Sequence, residues 1–269
     1  MNGISEKIYN AFKEKYGFGE CGLFESLCIA STKVKNIDLC LSGIIIAPSG
    51  DAKTSILKDI HKIFKEDVIL FDGLVTEYHL AKESHKLSEK PYCIAINDLV
   101  DIIKTLPKRR VAGILSFLKN IIDGHAQILT ARDNIDIKAK VSIIMNIPKL
   151  IFDRKSATFV TTTFIDRTIP FNFEINWNEW KNLYLENKLK EINIEPIKLE
   201  EREIKVDEKY KHQIVNKAEE LSTLKYTGLA RNVKLVKALL CGNALLNNRN
   251  EINDADFEVF DKLKSFFKW

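Results

Sequence analysis

The residues best suited to chemistry form one short run, Ala47-Pro48-Ser49-Gly50-Asp51-Ala52-Lys53-Thr54. A small residue, a flexible spacer and then Lys-Thr is the pattern of a loop that cradles phosphates between a strand and a helix. Such a loop needs successive backbone N–H groups curled around an anion, with a helix N-terminus aimed at it. Pro48, Ser49, Gly50, Asp51, Ala52, Lys53, Thr54 and Ser55 would then surround the phosphates. Lys53 would pair with the terminal phosphates, and the Thr54 hydroxyl would ligate Mg2+. Ala52 stands where glycine is usual, and its methyl group restricts the backbone beside the anion.

Phosphate hydrolysis also needs a carboxylate at the end of a neighbouring strand. Ile94-Ala95-Ile96-Asn97-Asp98 offers one where apolar strand, Asp, Glu is usual. Two readings stand. Asp98 holds the magnesium and the base is missing or supplied by Asp101, or Asn97 replaces the magnesium carboxylate and Asp98 is the base. The run Val141 to Met145 ends in Asn146, which either touches the γ-phosphate or its attacking water or belongs to the turn before Pro148.

The elements that must position these residues follow from hydrophobic pattern. Leu39–Ala47, Val68–Phe71, Tyr92–Ile96 and Val141–Asn146 are short, nearly continuous apolar runs, the signature of strands buried on both faces. A threonine-rich, strand-like segment precedes Phe164–Phe171. Helical periodicity covers 5–32, with a break at Gly17-Phe18-Gly19 and Ser5 as cap, and then 53–65, 99–105 and 109–123. Strands alternating with helices predict a parallel sheet covered on both faces. Trp177 to Glu191 reads as a polar helix, 192–206 as a charged connection around Pro196, and 207–269 as all helix, with caps at Asp207 and Asn253-Asp254-Ala255-Asp256. The predicted organisation is an α/β core with N-terminal helices (1–178), a connecting segment (179–206) and a small all-α domain (207–269).

Composition narrows the class. Hydrophobic residues make up 45% and charged residues 29%, which describes a folded domain and not a disordered chain. A net charge of +4 with both signs interspersed permits weak affinity for a polyanion and does not require it. The five cysteines form no CxxC pair and the histidines no ligand spacing, so reduced thiols and no structural zinc are expected. The N-terminus has no apolar leader and Gly43–Pro48, the longest apolar run, cannot span a bilayer, so no membrane partner and a cytoplasmic location are expected.

The order of these features resembles the AAA+ ATPases: the Ala47–Thr54 loop, the Asn97-Asp98 pair, the Asn146 strand end, Ile165-Asp166-Arg167-Thr168-Ile169-Pro170-Phe171, and Gly228-Leu229-Ala230-Arg231. The resemblance spans the chain from about residue 20 onward. It implies a parallel-sheet P-loop ATPase core with a small all-α lid, binding ATP with Mg2+. It also implies catalytic roles for Lys53, Asn97, Asp98 and Asn146, the last as sensor 1. Arg167 is similar to the arginine finger that acts on a neighbouring subunit's nucleotide, and Arg231 to the sensor 2 arginine of the lid. The stretch 231–257 is similar to the lid of minichromosome-maintenance replicative helicases. In those helicases a hairpin before the sensor 1 strand lines the pore. Gln127–Arg132 and Ile135–Lys138 fit such a hairpin, with Arg132, Lys138 and Lys140 as nucleic-acid contacts or, equally, as plain exposed charges. The implied function is ATP-driven remodelling or translocation of nucleic acid by a homo-oligomeric ring, a hexamer being one form. The alternative is an ATP-binding switch or scaffold with weak hydrolysis that acts on a protein partner. A protein unfoldase ranks last, since no aromatic pore loop is visible.

Overall fold

A computed structural model describes residues 3–72, 83–97, 99, 106–129, 134–186 and 188–268. Five strands form one parallel sheet: β1 (Gly43–Ala47), β2 (Val68–Phe71), β3 (Tyr92–Ile96), β6 (Val141–Pro148) and β7 (Ile169–Asn172), in the order β2-β3-β6-β1-β7. Every residue of β1, and every residue of β6 up to Ile147, is buried. Successive side chains on a strand point to opposite faces, so total burial requires cover on both. Helix α2 (Glu20–Thr32) packs on β1, β3 and β6 and carries α3 (Lys53–Ile63) with it. Helices α5 (Lys108–Ile122) and α6 (Lys149–Thr161) pack together and against β6, and α6 also touches β1. Also among the described residues are α1 (Ile4–Tyr16), laid on α2, and the short α4 (Ser84–Glu89). A separate antiparallel hairpin joins β4 (His125–Leu129) to β5 (Asn134–Lys138).

Beyond β7 come α7 (Trp177–Leu185), an extended stretch, and then α8 (Lys211–Lys225), α9 (Leu229–Leu246) and α10 (Asp254–Leu263). Helix α9 lies along both α8 and α2, and α10 packs on α9. The α2–α9 crossing is close: a methyl group on Gly242 would meet the Leu27 carbonyl at 3.0 Å. One apolar cluster therefore runs from the sheet through α2 into the C-terminal helices, and Phe24, Phe171 and Phe267 meet in it. The extended stretch is tied across this body. Ile197 N–H donates to Ile63 O at 2.8 Å, and Arg202 exchanges hydrogen bonds with Lys33 and Lys35.

Three local expectations need correction. The threonine-rich segment is the end of α6, not a strand. Phe152 and Phe159, seven residues apart, anchor one helical face in the core, while Thr162 returns its hydroxyl to the Thr158 carbonyl at 2.8 Å. Residues 164–167 form a 3-10 turn that leads into the strand at Ile169. Helix α7 stops at Leu185 and does not reach Glu191. Ser5 lies inside α1, after Gly3, and hydrogen-bonds Asn243 of α9. The expected helix 99–105 falls almost wholly outside the described residues. Asn253 and Asp256 do form a reciprocal capping box on α10.

Candidate functional site

The chain runs from β1 to the far edge of the sheet at β2, then returns through β3 and β6 and passes β1 to reach β7. The direction of winding reverses between β1 and β6. In an open parallel sheet the crevice outside the carboxyl ends of the strands at such a reversal is where ligands bind. The 47–54 loop leaves β1 at this point. Asn146 sits on β6 opposite Ile45, and Asn97 follows β3 immediately.

The loop is built by two left-handed residues. Gly50 has φ +97 with nothing near its missing side chain, and Ala52 has φ +54 and ψ +6. Alanine in this region is strained, so the sequence departure at position 52 becomes a backbone cost. Asp51 is buried and its carboxylate accepts from the Ile175 N–H at 3.0 Å, tying the loop to the chain after β7. The Lys53 ammonium folds back on the loop, donating to the Ala47 carbonyl at 2.9 Å and the Pro48 carbonyl at 2.6 Å. Thr54 and Ser55 are exposed in the first turn of α3, at the positive end of the helix dipole.

Beside the loop two carboxamides meet. Asn146 Nδ2 donates to Asn97 Oδ1 at 3.4 Å, and Asn97 Nδ2 donates to Asp72 Oδ1 at 2.6 Å. Asn146 is buried, yet among the described residues no donor reaches its Oδ1. An orphaned buried acceptor is costly and marks a place for a water or a polar ligand group. Asp72, at the end of β2 and 3.5 Å from Lys58, was not singled out from sequence. A lone Asp after a short strand carries no distinctive signal. Asp98, Asp101 and Arg132 lie outside the described residues.

Arg167 and Arg231 gather elsewhere. Arg167 grips Asp123 with Nε and Nη2, the latter at 2.7 Å, and gives Nη1 to the Thr163 carbonyl at 3.1 Å. Arg231 is half-buried in the first turn of α9, near Lys225. Burial pushes the Lys225 ammonium down to about 7. Asp166 opposes that shift and Arg231 adds to it. Asp166, Lys225 and Arg231 thus share the junction of the 3-10 turn with α8 and α9. On the hairpin Lys138 is exposed, whereas Lys140 turns inward to the Val34 carbonyl and burial lowers its pKa. His125 pairs with Asp136 at 2.6 Å.

Beneath the middle of the sheet, Glu25 is fully buried in α2. One oxygen accepts from the Cys21 thiol at 3.7 Å, and burial drives its pKa well up. All five cysteines are buried and free of disulfides. Among the described residues no group of His, Cys, Asp and Glu side chains is arranged to hold a metal, and no helix is long and apolar enough to cross a membrane. No protein-family model matches the chain, and no curated protein matches it significantly.

Proposed function

We propose that this chain is a P-loop ATPase of the AAA+ type, binding ATP with Mg2+ on the 47–54 loop. The observation that carries the reading is the meeting, at one sheet reversal, of a left-handed loop running into a helix N-terminus with the Asn97–Asn146 pair and its orphaned oxygen. The loop N–H groups and the start of α3 would hold the β-phosphate. Lys53 would exchange the Ala47 and Pro48 carbonyls for β- and γ-phosphate oxygens. The Asn146 Oδ1 acceptor would orient a water toward the γ-phosphate. Thr54 and Asp98 would hold the Mg2+, which neutralises charge between the terminal phosphates.

Arg167 acts, in this proposal, on nucleotide held by a neighbouring copy in a homo-oligomeric ring, and Arg231 is the sensor 2 arginine of the lid formed by 207–269. Arg167 must first leave Asp123, so assembly and release of that pair are one event. The work is remodelling or translocation of nucleic acid, with Lys138 of the β4–β5 hairpin as a phosphate contact. A second reading, a switch or scaffold with weak turnover acting on a protein, is favoured by the strained Ala52 and by Asn97 standing where a carboxylate is usual.

Steady-state ATPase assays with and without single-stranded and duplex DNA separate the two. DNA-stimulated turnover, lost in Lys53→Ala and Arg167→Ala, supports the motor. Tight ATP binding with no turnover supports the switch, and no ATP binding at all refutes both.

A further inference from the structure

Next to the loop lies a cleft of about 840 Å³, lined by Ala52, Ile175 and Tyr16 together with Trp177, Trp180 and Tyr184 of α7. It is tied to the phosphate loop on two sides. Asp51 holds Ile175, two residues before α7 begins. On the other side Asp59 of α3 accepts from the Tyr16 hydroxyl at 2.7 Å and pairs with Lys15 at 3.0 Å. The aromatic wall is therefore fixed relative to the place where phosphates would sit.

The wall itself is unusual for a surface helix. Trp177, Trp180 and Tyr184 recur at helical spacing, and Trp180 and Tyr184 stack with centroids 5.4 Å apart and planes 13° from parallel. Trp177 is 48% exposed and Tyr184 59%, and α7 has no fully buried residue. Aromatic rings lining a cleft of this size suit a flat aromatic ligand.

The charges of the cleft are already matched. Lys15 pairs with Glu191 at 2.6 Å, Lys190 with Glu14 at 3.4 Å, and the Tyr16 hydroxyl is held by Asp59. A polyanionic strand would find no surplus positive charge here, whereas a neutral base needs none.

We propose that this cleft is the nucleobase subsite of the bound nucleotide, with stacking on the α7 rings as its main contact, so that the chain accepts purine nucleoside triphosphates with little preference between adenine and guanine. The inference rests on the phosphate-loop reading above. Discrimination among bases requires polar groups that go unpaired with the wrong base, and stacking supplies none.

The test uses the full chain with Mg2+ and three probes: ATP, GTP and inorganic tripolyphosphate. Calorimetry gives affinities, and Trp177 and Trp180, two of three tryptophans, give fluorescence. ATP and GTP should quench the emission and bind within about threefold of each other, while tripolyphosphate binds without quenching. Trp180→Ala should weaken ATP and GTP about tenfold and leave tripolyphosphate unchanged, with Trp180→Phe retaining most of the affinity. Circular dichroism checks the fold of each variant, and Tyr184→Ala serves as a second probe of the wall. Wild-type ATP affinity in Trp180→Ala and Tyr184→Ala, or a preference above about thirtyfold for one purine, overturns the proposal. If tripolyphosphate itself fails to bind, the phosphate loop is at fault and the subsite falls with it. If tripolyphosphate binds but the base adds nothing, only the subsite falls.

Discussion

Ala52→Gly is the most direct test of the loop's geometry. Ala52 sits at φ +54, ψ +6, where an L-residue with a Cβ costs roughly 1–2 kcal/mol and glycine costs nothing. Glycine loses that strain but brings extra freedom to the unfolded chain, worth about 0.5–1 kcal/mol in the other direction. The difference predicts a gain of about 0.5–1 kcal/mol, a rise in melting temperature of about 2 °C for a chain of this size. Ala52→Val is the opposite control, since a β-branched side chain is a true outlier at this φ and should cost about 1–2 kcal/mol. Urea unfolding at constant m measures both. A lower midpoint for Ala52→Gly, or a neutral Ala52→Val, would mean that residue 52 is not left-handed, and the argument from the loop would fail.

Three further outcomes follow from particular contacts. A methyl group on Gly43 would sit 2.5 Å from the buried Phe24 ring, which is stacked on Phe171. Gly43→Ala should therefore cost about 1–3 kcal/mol in urea unfolding, and Phe24→Leu in the same chain should recover part of it. Lys225 is protonated near pH 7 only against its burial, with its folded pKa lowered from 10.5 to about 7. Between these values the unfolded chain holds a proton that the folded chain lacks, so this group's contribution to stability rises with pH and its full penalty applies below about 7. Lys225→Met should thus be stabilising at pH 7, with an advantage over wild type that shrinks by about 2 kcal/mol on moving to pH 9. An advantage that does not change with pH refutes the assignment. Asp123→Ala should cost about 1 kcal/mol by freeing a largely buried Arg167, and in the Arg167→Ala background the same change should cost almost nothing.

The strands were legible because burial on both faces imposes continuous apolar sequence, as in Gly43–Ala47 and Val141–Ile147. The capping box of α10 was legible because Asn253 and Asp256 satisfy each other within one turn. Thr158–Thr163 misled because β-branched residues favour strands on average, whereas here Phe152 and Phe159 bind their helix to the core. Trp177, Trp180 and Tyr184 share a helical face in the sequence, but nothing local ties that face to residue 52. The tie is the Asp51–Ile175 hydrogen bond, across 124 positions.

What the sequence determined by itself was the kind of most elements and the composition of the loop: Gly50 and Ala52 at the turn, Lys53 and Thr54 at the helix start. These depend on neighbours within a few residues, where spacing alone sets geometry. Only the tertiary structure decided the strand order β2-β3-β6-β1-β7. That order brings Asn97 against Asn146, adds Asp72 to the pair, and leaves Asn146 Oδ1 without a donor among the described residues. It is also the fold that turns Arg167 onto Asp123 and sets Arg231 beside Lys225. Such contacts depend on which distant segments become neighbours when one apolar core is buried, and no local period encodes that choice.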